Sequence, residues 1–569
     1  MQSKSLQQRV FNKDIATKLV REGLHPILAR VLSARGIESL DMLSGEIGDI
    51  LPFTSMKGID RAATILARVV TKDVHTVISC DFDVDGCTAG AVAYRALRMM
   101  GATKIDIKMP NRSRHGYGVS KLLVQELAEE FSPELILTVD CGISSYEGIE
   151  EAKKHQISVL ITDHHLPAND KALPVALGIV NPNQPGCEFE SKALCGCGVI
   201  FYVMLALRAK LREMNYFTER NIPEPNLGSL LDLVALATIA DVVKLCRNNR
   251  ILVRAGLRRI KNGQACPGIN ALLKVAGKDY SKVSVFDMSF VCGPRLNAAG
   301  RMDDMMLGMR CLLSDDPQEA LSIAKELDRI NTERRAVESD MKESAEIELE
   351  EIDVSNQYSL VMHDPSWHQG VIGILASRLK DKYGRPTIIL ASADGKVKGS
   401  GRSIPGLHLR DAIDLVAKRN PGMLLAYGGH SAAAGLTLVE GRAGDFAQAF
   451  EEVVSELLTE ADLQQIVETD GSLSAGDFTV ELARTLENAI WGQGFPAPLF
   501  NDTFDIVEQK ILKEKHLKMK LSKDGKMFDA IWFFQPDLIE SASGNFVYSL
   551  SVNEFNGNVN VQMMVRDMF

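Results

Sequence analysis

The stretch Val77–Gly86, VISCDFDVDG, sets Asp81, Asp83 and Asp85 at alternate positions behind an apolar run. The spacing D-x-D-x-D-G also opens an EF-hand calcium loop, which needs a preceding helix and a bidentate Glu at its twelfth position. Here the twelfth position is Val92, and His75–Ser79 (HTVIS) is β-branched and apolar like a buried strand, so that reading fails. Residues two apart on a strand share a face. Asp81 and Asp83 are therefore expected side by side, with Asp85 in the turn beyond. Carboxylates this close resist joint ionisation unless a cation neutralises them, and hard divalent ions take such oxygen ligands. For this motif alone, an N-cap cluster on a helix beginning near Cys87 is the alternative.

Two more apolar runs end in the same way. LILTVDCGIS (Leu135–Ser144) closes on Asp140, and SVLITDHHLP (Ser158–Pro167) closes on Asp163, His164 and His165. Near-continuous apolar runs of this length have the pattern of buried parallel strands. Ligands of open α/β sheets collect beyond the carboxyl ends of such strands. Three successive strand ends bearing Asp and His thus converge on one crevice, which isolated caps or core histidines would not produce.

In this order the motifs resemble the DHH phosphoesterase superfamily, for which Asp163-His164-His165 is the signature. The resemblance implies a further acidic residue on a later helix. LDLVALATIADVVKL (Leu231–Leu245) supplies Asp241, with Asp232 as a rival. Later stretches are similar to the RecJ branch of single-strand-specific exonucleases: PNRSRHGYG (Pro110–Gly118) and VCGPRLNAAGRM (Val291–Met302). SWHQGVIGILASRL, KGSGRSI and YGGHSAAAGL resemble the DHH-associated domain. The resemblance implies metal ligands at Asp83, Asp85, Asp140, His164 and Asp241, with Asp81 as an additional one. It implies one or two divalent ions, Mn2+ or Mg2+, and catalytic roles for Asp163 and His165, the latter facing the scissile phosphate or orienting the water. Many members carry a His where this chain has Ser79, so one ion site is expected to be weaker or completed by Asp81. A terminal phosphate calls for Arg forks and hydroxyl or backbone donors. The candidates are Arg112, Arg295, Ser400, Arg402 and Ser403, with Gly428, Gly429 and His430 closing the pocket.

The elements that must position these residues follow from the rest of the chain. The 569 residues suggest three or four domains, and 46% hydrophobic with 24% charged residues is an ordinary globular composition. No apolar run is long enough to span a membrane, and MQSKSLQQRVFNKD lacks the apolar core of a signal peptide. The ten cysteines contain no C-x-x-C pair; reduced thiols and a cytoplasmic location are expected. A net charge of −10 does not steer a polyanion, but a carboxylate-rich metal centre accounts for part of it.

The expected fold class is α/β, in five parts. A helical segment over 1–70 packs on a parallel-sheet catalytic domain over 71–315. A long connecting helix over 316–354, begun by Ser314-Asp315-Asp316-Pro317, leads to a second α/β domain over 355–460 and spans a cleft between the two. An OB-type β-barrel occupies 466–569. OB-folds bind single strands by a basic groove with aromatic platforms. Lys513, Lys515, Lys518 and Lys520 are expected to alternate along one strand there, near Trp532, Phe533 and Phe534.

The function expected is a 5′-to-3′ exonuclease on single-stranded DNA, releasing 5′-mononucleotides in recombination and repair, mismatch repair included. The family implies a single-strand-binding protein and a RecQ-type helicase as partners, and a monomer is expected. The alternatives are a small-substrate relative (oligoribonuclease, cyclic-dinucleotide phosphodiesterase or pyrophosphatase) and an inactive DNA-binding scaffold. The barrel argues against the first and the intact motifs against the second.

Overall fold

Five segments form a parallel sheet, in chain order Thr76–Cys80, Ile105–Lys108, Leu135–Val139, Ser158–Thr162 and Gly178–Val180, the first and third being buried on both faces. Counted along the chain, their order across the sheet is 2-1-3-4-5. The computed structural model describes all residues except 1–3, 113, 169, 170, 303, 351–353, 394 and 556. They fall into two units, residues 9–330 with 470–569, and residues 1–8 with 331–469.

In the first unit the parallel sheet is wrapped by helices, among them the almost wholly buried Val84–Met99, Gly196–Glu213 and Leu231–Ala240. Its C-terminal part is a closed barrel of five strands, Phe500–Leu512, His516–Lys523, Lys526–Phe533, Ser543–Phe555 and Asn558–Met568. A helix at Val480–Asn488 precedes it. One apolar core runs from Leu19 and Leu28 through the sheet helices to Phe500, Phe504 and Tyr548 of the barrel. The barrel is therefore packed into the unit and is not an appended module.

The second unit holds a five-stranded mixed sheet, in chain order Leu360–His363, Thr387–Ala393, Lys396–Arg402, Leu424–Gly429 and Ala433–Val439. Its own core includes Ile388, Leu409, Phe446 and Phe450. The chain start differs from the expected run of helices: Ser5–Gln8 is a strand, paired in parallel with Ile466–Thr469 of this unit. The long helix spans Pro317–Glu350, and the Asp316 carboxylate accepts from the Gln318 amide at its start. At ~1.5 Å per residue it is roughly 50 Å long.

The barrel segment is fastened by a buried fork. The Arg35 guanidinium donates to Asp470 Oδ1 at 2.7 Å and Oδ2 at 3.0 Å, and to the carbonyls of Val31 and Pro496. Both side chains are within 2% of full burial. Arg35→Ala leaves the buried Asp470 carboxylate to Arg9 at 3.5 Å and the Leu499 amide at 3.2 Å, a loss of about 3–5 kcal/mol. Denaturant unfolding should show a drop of that size, and a loss under about 1 kcal/mol would mean water reaches the pair.

Candidate metal centre

The strand order reverses between the first and third strands, which opens a crevice at their carboxyl ends. Asp81 follows the first strand, Asp140 the third and Asp163 the fourth, and all three are buried. One expectation is corrected here. The first strand ends at Cys80, so Asp81 and Asp83 do not share a strand face. Asp83 instead caps the helix Val84–Met99, its Oδ1 accepting from the Gly86 amide at 3.1 Å, and Asp85 sits in the first turn. A carboxylate has two oxygens, so capping and ion binding are compatible in Asp83. Gly86 is required because a Cβ there would lie 2.4 Å from the Asp81 carbonyl oxygen.

Three groups of side chains result: Asp81 with Asp83 and Asp140, Asp85 with His164 and Asp241, and Asp140 with His164 and His165. Within each group one ligand atom per residue lies within 4.8 Å of the others. His164 Nε2 joins them, 3.2 Å from Asp140 Oδ1, 3.6 Å from Asp241 Oδ2 and 3.8 Å from Asp85 Oδ2. All six expected ligands thus meet. Asp85 is aimed by the start of the helix Gly196–Glu213, whose Gly196 and Cys197 amides donate to its two oxygens at 2.6 and 2.8 Å. Gly196 has no room for a Cβ, which would fall 2.4 Å from the Asp140 side chain.

These carboxylates are arranged for a cation. Burial, then the neighbouring carboxylates, pushes Asp81, Asp140 and Asp241 well above the usual range, and Asp85 up to about 6. Asp81 Oδ1, Asp140 Oδ1 and Asp241 Oδ2 are buried and accept no hydrogen bond among the described residues. Leaving such oxygens unsatisfied costs about 1–3 kcal/mol each, more when charged. A hard divalent ion answers both the charge and the missing donors, so the donor set fits Mn2+ or Mg2+. Ser79 is fully buried within its strand. The rival Asp232 lies elsewhere and accepts from the Cys266 amide at 2.7 Å.

Asp163, expected to be catalytic, turns both oxygens to N–H donors. Its Oδ1 accepts from the His164 and His165 amides and from His165 Nδ1 at 2.8 Å, and its Oδ2 from the Ile143 amide. Burial opposes protonation of His165, but the bond and charge of Asp163, helped by Asp81 and Asp241, outweigh it and raise the imidazole to about 9. The Tyr117 hydroxyl reaches the same ring at 2.9 Å. Asn183 Nδ2 donates to the His164 carbonyl and Asn181 Nδ2 to that of His165, fixing the loop. Tyr117, Asn181 and Asn183 were not singled out from sequence, although NPN directly after the fifth strand marks the same sheet edge.

Of the two arginines of this unit expected to take phosphate, Arg112 lies beside Asp81 and Asp83. Its guanidinium sits 4.1 Å over the Phe82 ring, within the field of Asp81 and Asp83. Arg295 is buried and engaged inside the unit, donating to the Val291 carbonyl and paired with Asp328 at 2.8 Å. In the other unit, Ser400 and Arg402 share one face of the strand Lys396–Arg402, and Arg402 Nη1 donates to Ser400 Oγ at 3.3 Å. Gly435 pairs with both Ser400 and Gly428, which leaves a bare floor beside them. The start of the helix Ile372–Tyr383 lies against the pair: a Cβ on Gly373 would be 2.9 Å from Ser400 Oγ. Gly429 has φ 140°, and the His430 amide donates to the Ala433 carbonyl. The Ser403 hydroxyl is turned inward onto the Leu407 carbonyl. Lys398, missed from sequence, lies on the Ser400 face and donates to Gln369.

In the barrel, only Lys518 and Lys520 alternate outward along a strand. Lys513 and Lys515 lie in the turn before it, Lys513 with φ 50°. Trp532 stands opposite the buried Leu517 and packs on the core, so the exposed aromatics are Phe533 and Phe534.

Three family models match the chain: the DHH family N-terminal domain over residues 75–238, the DHHA1 domain over 355–456 and the RecJ OB domain over 469–567. The chain is 44% identical over 557 residues to the single-stranded-DNA-specific exonuclease RecJ of Escherichia coli (strain K12), covering 96% of each. It superposes on the crystal structure of RecJ from Thermus thermophilus in complex with Mn2+ with a TM-score of 0.83 and 27% identity, covering 99% of this chain and 79% of that one. For the Mg2+ complex of the same protein the values are 0.76, 26%, 99% and 78%.

Proposed function

Since the chain belongs to the RecJ family of single-stranded-DNA-specific exonucleases, we propose that it degrades single-stranded DNA from the 5′ end, releasing 5′-mononucleotides with Mn2+ or Mg2+ as cofactor. The observation that carries this reading is the meeting of Asp81, Asp83, Asp85, Asp140, His164 and Asp241 in two of these groups, joined through His164. These six side chains hold the ions. When bound, a divalent ion there lowers the pKa of a coordinated water and offsets charge building on the phosphoryl oxygens.

The chain's own groups do the rest. Asp163 fixes the His165 ring and, by its hydrogen bond and charge, favours the protonated form, so His165 donates to a non-bridging phosphate oxygen and holds it as charge accumulates. The Tyr117 hydroxyl, 2.9 Å from Nδ1 and 3.1 Å from Nε2, steadies the same ring. Arg112, lying on Phe82, presents its guanidinium to a neighbouring phosphate. Lys518 and Lys520 of the barrel contact the backbone of the strand. No helix among the described residues is long and apolar enough to cross a membrane. A cytoplasmic location, action as a monomer, and a single-strand-binding protein and RecQ-type helicase as partners belong to the same proposal, as does work in recombination and repair.

The deciding assay offers a long single strand, a blunt duplex and pyrophosphate, each with Mn2+ and with EDTA. Mononucleotides released from the single strand alone, and only with metal, are expected; phosphate from pyrophosphate would favour a small-substrate enzyme.

Polarity depends on which end is accepted. Ser400 and Arg402, beside the Gly428 floor and the start of a helix, offer the donors that a terminal phosphate needs. A hydrogen bond to a charged group contributes about 1.5–3 kcal/mol. Arg402→Ala should therefore lower the preference for a 5′-phosphate over a 5′-hydroxyl strand roughly ten- to a hundred-fold. Arg402→Lys restores charge but not the fork, giving partial recovery. Initial rates on 3′-labelled strands measure this, and an unaltered preference in Arg402→Ala would move the pocket to Arg112.

A further inference from the structure

Phe286 and Phe290 are 61% and 58% exposed, with their ring centroids 4.7 Å apart. Among the described residues they touch no other aromatic ring. Two large rings held together in water are an uncommon surface feature, unlike single exposed apolar residues. Their backbone is unusual as well. Residues Met288–Cys292 form a π-helical turn, directly before Pro294 in the helix Gly293–Met302. Pro294 has no N–H for the Phe290 carbonyl four residues back, and the turn widens there. Met288, Val291 and Cys292 stay buried while Phe286 and Phe290 face outward.

The place of this turn says what the rings meet. At one end of the segment, Lys282 Nζ is 2.7 Å from Glu554 of the barrel. At the other end, a Cβ on Gly293 would lie 3.6 Å from Ala240, next to the ligand Asp241. Just beyond, Asn297 Oδ1 accepts from the Val84 amide beside Asp83. The segment therefore runs from the barrel to the metal centre within one unit. Lys274, Lys278 and Lys282 are exposed along its approach, although Lys278 and Lys282 are paired with Asp287 and Glu554. Aromatic faces interleaved with lysine are the chemistry that holds a single strand without sequence preference.

We propose that Phe286 and Phe290 form a base-stacking station for single-stranded DNA on the path between barrel and metal centre. The proposal rests on the reading of the site as a nuclease. A base stacks on the outer face of the pair, holding the strand several nucleotides from the bond being cleaved. A short strand covers less of this path than a long one, so the effect of the station grows with strand length.

The test compares the full chain with Phe286→Ala/Phe290→Ala in Mn2+, using an oligothymidylate trimer and a long oligothymidylate. In the variant the ratio of kcat/KM for the long strand to that for the trimer should fall about ten-fold or more. Phe286→Leu/Phe290→Leu keeps apolar bulk without a π-face and should lose the same ratio. Phe290→Trp should keep it, and its fluorescence should be quenched by the long strand in EDTA. An unchanged ratio in the alanine variant, or a ratio kept by leucine, overturns the proposal. A defect seen only when a single-strand-binding protein is added also overturns it, since the rings would then dock protein. If the wild type releases nothing yet the fluorescence of the Phe290→Trp variant is quenched, the station stands and the nuclease reading falls.

Discussion

Asp140→Asn should reduce hydrolysis of single-stranded DNA by about a thousand-fold or more while leaving the ion-free protein no less stable than the wild type. The rate estimate follows from the several kcal/mol that a bound ion contributes to phosphoester cleavage, at about 1.4 kcal/mol per ten-fold. The stability claim follows from electrostatics. Burial and the charges of Asp85, Asp83, Asp241 and Asp81 raise the Asp140 carboxyl well above its usual range. A carboxyl whose pKa is raised by folding destabilises the fold once pH exceeds its unfolded value, and the amide removes that penalty. Asn also tolerates the left-handed backbone at this position, φ 62°. Thermal unfolding with and without Mn2+ checks the account: the ion should raise Tm strongly in the wild type and weakly in the variant. An ion-free variant that melts far below the wild type would make Asp140 a structural residue.

Asp163→Asn should behave in the opposite way. Asp163 is also buried at a strand end, yet both its oxygens are filled by N–H donors from Ile143, His164 and His165. An amide would turn an NH2 group toward one of those donors and remove the charge that favours the protonated form of His165. The fold should lose about 3–5 kcal/mol, as when one partner of a buried pair is removed. Activity should fall about a hundred-fold, the upper end for residues that orient a site without entering it. Mn2+ should still raise Tm, because the six candidate ligands are untouched. If Asp163→Asn unfolds like the wild type but no longer responds to Mn2+, Asp163 is itself a ligand.

The contrast between these two aspartates marks how far the sequence was legible. Apolar runs closed by Asp81, Asp140 and Asp163-His164-His165 placed the sheet and its functional edge, because period and burial are written locally in each run. The family-like context favours Asp241 over Asp232, and the structure sets Asp241 at the C-terminal end of its helix beside Asp85 and His164. What each carboxylate does with its two oxygens was not legible. That depends on where the amides of Gly86, Ile143 and Gly196 arrive, from segments up to more than a hundred residues away. The same holds for Arg295, whose partner Asp328 lies on the long helix, and for Trp532, turned inward by the barrel's register. The expected alternation of four lysines failed because the strand begins only at His516.

The central claim, that six side chains from three strand ends and two helix ends hold catalytic divalent ions, is tested most directly by anomalous diffraction at the manganese edge from crystals soaked in Mn2+. The account predicts density bonded to His164 Nε2 and to carboxylate oxygens of Asp85, Asp140 and Asp241, with any second ion among Asp81, Asp83 and Asp140. Manganese bound elsewhere, with this cluster left empty at saturating Mn2+, would contradict it.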